Sequence, residues 1–266
     1  MTFSPNLVVP RILWDNLMRS ASATVTLFGG SALPQYPLVN AYDWKDWTLF
    51  RVQAGTWDIV IRNTAETTLD SFGFFFKRPT YSGATVRLFW ESSSGVFSPL
   101  TPGITGLETN PLGMESFTAQ VVPANRGIMI RFVVPTAQVL DVRQVAVGMK
   151  MEPEAGQNVG VSPPSLQQSW KTTNALSVNG SLIGRNLIRL VKDYDINLEY
   201  LSKSFVEGSW RTFCTHALRY PFFFKWNPSS FPLDTLFASA KTVDSPSVSK
   251  PGQRFTAKMP LVGITE

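Results

Sequence analysis

Cysteine and histidine are nearly absent from this chain: Cys214 and His216 are the sole members of their types among 266 residues. One cysteine excludes an internal disulfide. One cysteine plus one histidine also excludes the nitrogen- and sulfur-rich metal sites, which need several such ligands to converge. Charged residues are sparse at 16%, and the net charge of +5 is spread thinly. Lys and Arg form nothing longer than pairs such as Lys77–Arg78. The chain lacks the basic stripe that a phosphate backbone requires, so no nucleic-acid partner is expected. Apolar runs such as Phe74–Phe76 and Phe222–Phe224 are far too short to span a bilayer, so no membrane insertion is expected. Met1 to Asn16 carries Pro5, Pro10, Arg11 and Asp15 and lacks the apolar stretch of a signal peptide. The expectation is a protein made in a cytosol, which stays there or leaves by lysis.

What the chain does have is aromatic bulk: 19 Phe and 8 Trp, within a 44% hydrophobic composition that can build a core. Aromatics favour strands and supply large contact areas. From about Val25 to Met151 the apolar residues alternate with period two. Trp57, Ile59 and Ile61 share one strand face, with Asp58 and Arg62 outward. Val86, Leu88 and Trp90 repeat this, as do Ile128, Ile130 and Phe132, then Val145, Val147 and Met149. Gly and Pro punctuate the intervals. Short strands with one buried face each predict an antiparallel β-sandwich over residues 1–151.

Residues 152–182 lose this regularity and are rich in Pro, Gly, Gln and Asn, which predicts a linker or extended arm. Residues 183–266 then read as a smaller α+β domain. Strands are expected at Leu187–Val191 and around Ile196, Leu198 and Tyr200. Trp210, Phe213, Cys214, Ala217 and Leu218 form a helical stripe with Ser209 as N-cap, ended by Pro221. Phe222, Phe224 and Trp226 begin the next strand, and Phe255, Ala257, Met259 and Leu261 the last.

The titratable inventory does not support catalysis. Cys214 and His216 lie two apart, so on a helix their side chains point about 200° apart. Cys214 also belongs to the apolar stripe, which implies an inert thiol. Asp193-Tyr194-Asp195 puts two carboxylates on one side of an extended segment, but it lacks the other positions of a calcium loop and reads as a turn. No phosphate-cradling glycine loop or nucleophile elbow is present. No cofactor and no metal are expected. Ligand binding by aromatics has more support. Tyr42, Trp44 and Trp47 stand among charges before a strand, where rings can stack on sugar faces. The alternative is that Trp44 and Trp47 plug the sandwich end or meet a partner subunit.

Between Trp210 and Phe237 the chain is unusually aromatic. The period-two rule sends Phe223 to the face opposite Phe222 and Phe224. A small domain covers one sheet face with its helix and has little for the other. Phe223, Phe231 and Phe237 are therefore expected at an interface with another copy.

Two stretches carry a family resemblance. Tyr36-Pro-Leu-Val-Asn-Ala-Tyr-Asp43 through Trp90-Glu-Ser-Ser-Ser-Gly95 resembles the discoidin-like jelly roll of many phage virion proteins. Trp210-Arg-Thr-Phe-Cys-Thr-His-Ala-Leu-Arg-Tyr-Pro-Phe-Phe-Phe-Lys-Trp-Asn-Pro228, with Gly184-Arg-Asn-Leu-Ile-Arg189 upstream, is similar to segments of tailed-phage virion and tail proteins. The resemblance implies a structural virion component, in tail, baseplate, collar or capsid decoration. Its partners would be its own copies in a symmetric oligomer and other virion proteins. Discoidin-like domains also bind glycans, so the rival expectation is a carbohydrate-binding adhesion module for a cell-surface glycan.

Overall fold

A computed structural model describes residues 9–30, 32–45, 47–77, 83–154, 168–176, 178–179, 182–250 and 254–264. The earlier strands are β1 (Arg11–Leu13), β2 (Ala23–Phe28), β3 (Phe50–Asn63), β4 (Thr67–Phe76), β5 (Thr85–Ser93), β6 (Val96–Pro99), β7 (Leu112–Val122) and β8 (Gly127–Gly148). The later ones are β9 (Gln168–Leu176), β10 (Leu182–Leu201), β11 (Phe222–Lys225), β12 (Thr235–Ala240), β13 (Ser247–Lys250) and β14 (Arg254–Gly263). All pairings are antiparallel, in two hydrogen-bonded networks.

The first network is the expected β-sandwich. β3 runs beside β8 from Arg62↔Gly127 to Phe50↔Val142. On its other side β8 pairs first with β5, at residues 128–133, and then with β4, at residues 142–148. The β5–β6 and β4–β7 wings therefore close on one core. Trp57, Ile59 and Ile61 meet Phe72, Phe74, Phe76, Val86, Leu88, Ile128, Ile130 and Phe132 there. The alternation read from the sequence places these side chains inward, with two departures. Trp90 is only half-buried, and Met149 lies exposed beyond the end of β8.

The second network, ordered β1-β11-β12-β14-β10-β9 with β13 on β14, carries a helical run on one face. That run is α1 (Lys203–Phe205), a π-helical turn (Val206–Trp210) and α2 (Arg211–Ala217). Its N-cap is Ser202, whose Oγ accepts from Phe205 N, and not Ser209, which sits inside the run. Trp210, Phe213 and Ala217 are buried as the stripe requires, but Leu218 is 68% exposed because the helix has ended. Leu187–Val191 and Ile196–Tyr200 are one continuous strand. Asp193-Tyr194-Asp195 lies within it and is no turn: Tyr194 is buried, and Asp193 pairs with Lys241 at 2.8 Å. β12 and β13 were not anticipated. Of the expected linker, residues 155–167 lie outside the described residues, whereas 168–176 form β9.

The N-terminal segment does not stay with the sandwich. β1 extends the second sheet, pairing Ile12 with Phe224 and Leu13 with Phe223. Ile12 also exchanges both backbone hydrogen bonds with Met151. Asn16 then ties the segment to β8, its Nδ2 donating to Val145 O (2.9 Å) while its Oδ1 accepts from Val147 N (3.2 Å).

The two Phe triplets explain how the sheets meet. Phe74 and Phe76 face the sandwich core, and Phe222 and Phe224 face the helix-covered core. The middle residues, Phe75 and Phe223, point the other way, into a third cluster with Leu13, Trp44, Met114, Ala146 and Phe237. β4 and β11 are buried on both faces along their Phe triplets, which is why Phe74–Phe76 and Phe222–Phe224 are apolar without alternation. Gly73 permits the close approach: a Cβ there would lie 2.7 Å from the Phe223 ring. Lys225 crosses the same seam, its Nζ donating to Met114 O at 2.7 Å, and burial pushes its pKa down.

This overturns the expectation for Phe223 and Phe237. Both are fully buried, and the surface that covers them belongs to the same chain. Phe231 is 42% exposed, against Trp226 at 5.1 Å.

Candidate functional site

The segment from Tyr36 to Thr48 splits the expected aromatic cluster into three environments. Tyr42 is half-buried on the sandwich core, and burial raises its pKa. Trp44 is 3% exposed and belongs to the seam. It stacks on Phe237 at 5.9 Å and 13°, and meets His216 edge-on at 5.4 Å. Its backbone holds a left-handed φ of 63° and its N–H donates to Gln144 Oε1 at 3.1 Å. A bulky residue in that region is strained and persists because its surroundings over-determine it. The expected ligand contact at Trp44 is corrected accordingly: its ring fills the seam between the two sheets.

Trp47, three residues on, is 76% exposed. The loop beneath it is closed by Asp43, whose carboxylate accepts from Lys45 N (2.9 Å) and Thr48 Oγ1 (3.0 Å). Asn40 Nδ2 donates to Leu49 O at 2.9 Å and fastens the loop's base. At the same end of the sandwich Arg51 makes a fork with Asp141 (2.7 and 3.0 Å) and lies 4.3 Å over the Tyr36 ring. The Asp141 hydrogen bond holds the Arg51 pKa above its ordinary value. A wide indole face stands in water on a braced loop, with hydrogen-bonding groups nearby.

His216 and Cys214 do not meet as a catalytic pair. Nε2 of His216 donates to Pro221 O at 3.0 Å, which fixes the neutral tautomer. Burial holds its pKa below the ordinary value; the Pro221 hydrogen bond and Asp15 oppose this, and Arg19 adds to it. Burial pushes the Cys214 thiol up to about 11, the mark of an unreactive sulfur. No group of three or more His, Cys, Asp or Glu among the described residues is placed to hold a metal. No helix among them is long and apolar enough to cross a membrane.

A feature that sequence reasoning missed lies between the segment after β1 and the helical run. Trp14, Arg211, Thr212, Thr215, His216, Arg219 and Tyr220 line an open groove of about 510 Å³. Arg19 lies 4.6 Å over the Tyr220 ring. Arg211, Thr212, Thr215, His216 and Arg219 fall at i, i+1, i+4, i+5 and i+8, a helical spacing, whereas Trp14 comes from a distant stretch that no period could place beside them.

No family model matches the sequence, and no curated protein matches it. Among solved structures, the chain is similar to a GH29 fucosidase of Ruminococcus gnavus, with 18% identity over 52% of this chain and 27% of that one (TM-score 0.42). It is also similar to CpGH89CBM32-5 of Clostridium perfringens in complex with GalNAc-β-1,3-galactose: 12% identity over 48% and 95% of the two chains, TM-score 0.39. The CBM32 of AlyQ in complex with 4,5-unsaturated mannuronic acid gives 15%, 51% and 96%, with a TM-score of 0.38.

Proposed function

We propose that this chain is a non-catalytic carbohydrate-binding protein whose sandwich presents Trp47 to a glycan. The observation that carries the reading is the 76% exposure of that indole on a loop braced by Asp43, Asn40 and the buried Trp44. An exposed indole on a braced loop offers an apolar face that the apolar face of a pyranose can cover. A braced loop also reduces the ordering cost of binding. Glycan-array binding of the full chain tests this. Trp47→Ala is expected to weaken the selected glycan by about 1–3 kcal/mol, the scale of a lost aromatic anchor, with no change in folding. A wild-type chain that binds no glycan removes the reading.

A second reading, the virion assembly component expected from the sequence resemblance, draws on one feature of the fold. From Leu182 to Val191 β10 is paired with β9, and its pairing with β14 begins only at Lys192↔Gly263. A two-stranded ribbon is marginally stable by itself in water, and a neighbouring subunit would stabilise it. The two readings are compatible in an adhesion module that is part of a larger particle. Light scattering tests the second: an oligomer supports it, and a monodisperse monomer at high concentration counts against it.

A further inference from the structure

We propose that the groove between the segment after β1 and the helical run is a second binding site, selective for sugars that carry a carboxylate. It is distinct from the Trp47 loop and does not depend on that reading. Arg211 and Arg219 line the groove and Arg19 lies at its Tyr220 side. No carboxylate pairs with any of the three among the described residues. Exposed guanidiniums spaced along an open groove favour an anionic ligand, and the planar fork of each matches a carboxylate. Arg19 is held in place by the Tyr220 ring beneath it, so part of its ordering cost is already met.

The rest of the lining selects a sugar acid over a bare anion. Trp14 and Tyr220 supply aromatic surface; Trp14 is fixed against Phe213 (6.4 Å) and His216 (5.5 Å). Thr212 and Thr215 each use their hydroxyl proton within the helical run, donating to Gly208 O (2.9 Å) and Arg211 O (3.1 Å). Each hydroxyl is left with lone pairs, which accept from sugar hydroxyls. His216 is neutral and contributes ring surface rather than charge. Donors for a carboxylate, acceptors for hydroxyls and apolar faces thus converge in one groove. The site exists only because the segment after β1 sets Trp14 against Phe213 and His216, while Arg19, ending the Leu17–Arg19 turn that packs on the sandwich, reaches over Tyr220. It is therefore a property of the joined molecule.

The test is titration calorimetry on the full chain with oligogalacturonide, hyaluronan and sialyllactose fragments, each beside its neutral ester or desialylated counterpart. At least one acid is expected to bind, and its neutral counterpart about tenfold or more weakly, as loss of charge-assisted hydrogen bonds implies. Arg211→Gln and Arg219→Gln should each weaken the acid while unfolding as the wild type does. Equal binding of acid and ester overturns the proposal, as does failure of every acid to bind. Displacement by equimolar inorganic phosphate also overturns it, because the groove would then hold a simple anion.

Discussion

Removing the Phe223 ring should destabilise the whole molecule rather than free a surface. The ring is fully buried among Trp44, Phe237 and Gly73, so Phe223→Ala leaves a cavity in the seam and should cost about 3–5 kcal/mol. Gly73→Ala perturbs the same contact from the other side. The added Cβ would lie 2.7 Å from Phe223 Cδ2, and overpacking of this kind costs about 1–3 kcal/mol. Together the two changes relieve each other, since the new methyl occupies part of the vacated space. The double variant should then be less destabilised than the sum of the singles by about 1–3 kcal/mol, within the range for residues in contact. Urea unfolding of the four proteins closes the cycle, provided each unfolds in one transition. Additive costs would refute the packing argument. So would a Phe223→Ala cost below about 1 kcal/mol, which is the result for an exposed ring.

Asn16→Ala should cost about 1–3 kcal/mol by unfolding, since Val147 N loses its Asn16 acceptor in the buried join while Val145 O keeps only the Gln144 Nε2 donor. Cys214 should react slowly with thiol reagents near neutral pH and titrate near 11. Its raised pKa also has a stability consequence: above about pH 8.5, where the unfolded thiol ionises first, stability should fall with rising pH. His216 has the opposite window. Its folded pKa lies below its ordinary 6.5, so the unfolded chain takes up the proton first as pH falls. Stability should decline below about pH 6.5, and His216→Phe should flatten that slope in pH-dependent melting.

The sandwich was legible because its strands obey a local rule: one face inward, one outward. Trp57, Ile59, Ile61 and their counterparts in β5 and β8 needed no tertiary knowledge. The same rule correctly turned Phe223 away from Phe222 and Phe224, but it could not say what lies beyond. The covering surface is β4, far upstream in sequence, and the matching triplet Phe74–Phe76 was read only as a short apolar run. Trp44 and Trp47 looked equivalent for a similar reason. Nothing local separates a ring that swings into the seam between the sheets, through a left-handed backbone, from one left in water. The helix start moved because Ser202 caps a run whose second turn, Val206–Trp210, is π-helical, which breaks the 3.6-residue stripe. The arginine groove was legible only in part: Arg211, Thr215 and Arg219 follow helical spacing, but nothing local places Trp14 and Arg19 beside them.

The functional reading depends most directly on which tryptophan meets a sugar. The chain has 8 tryptophans, so 5-fluorotryptophan labelling gives a resolvable fluorine NMR spectrum, and Trp47→Phe and Trp44→Phe identify two of its resonances. On titration with a glycan selected from an array, the Trp47 resonance should shift in proportion to saturation while the Trp44 resonance stays fixed. A saturating glycan that leaves Trp47 unmoved would contradict the account.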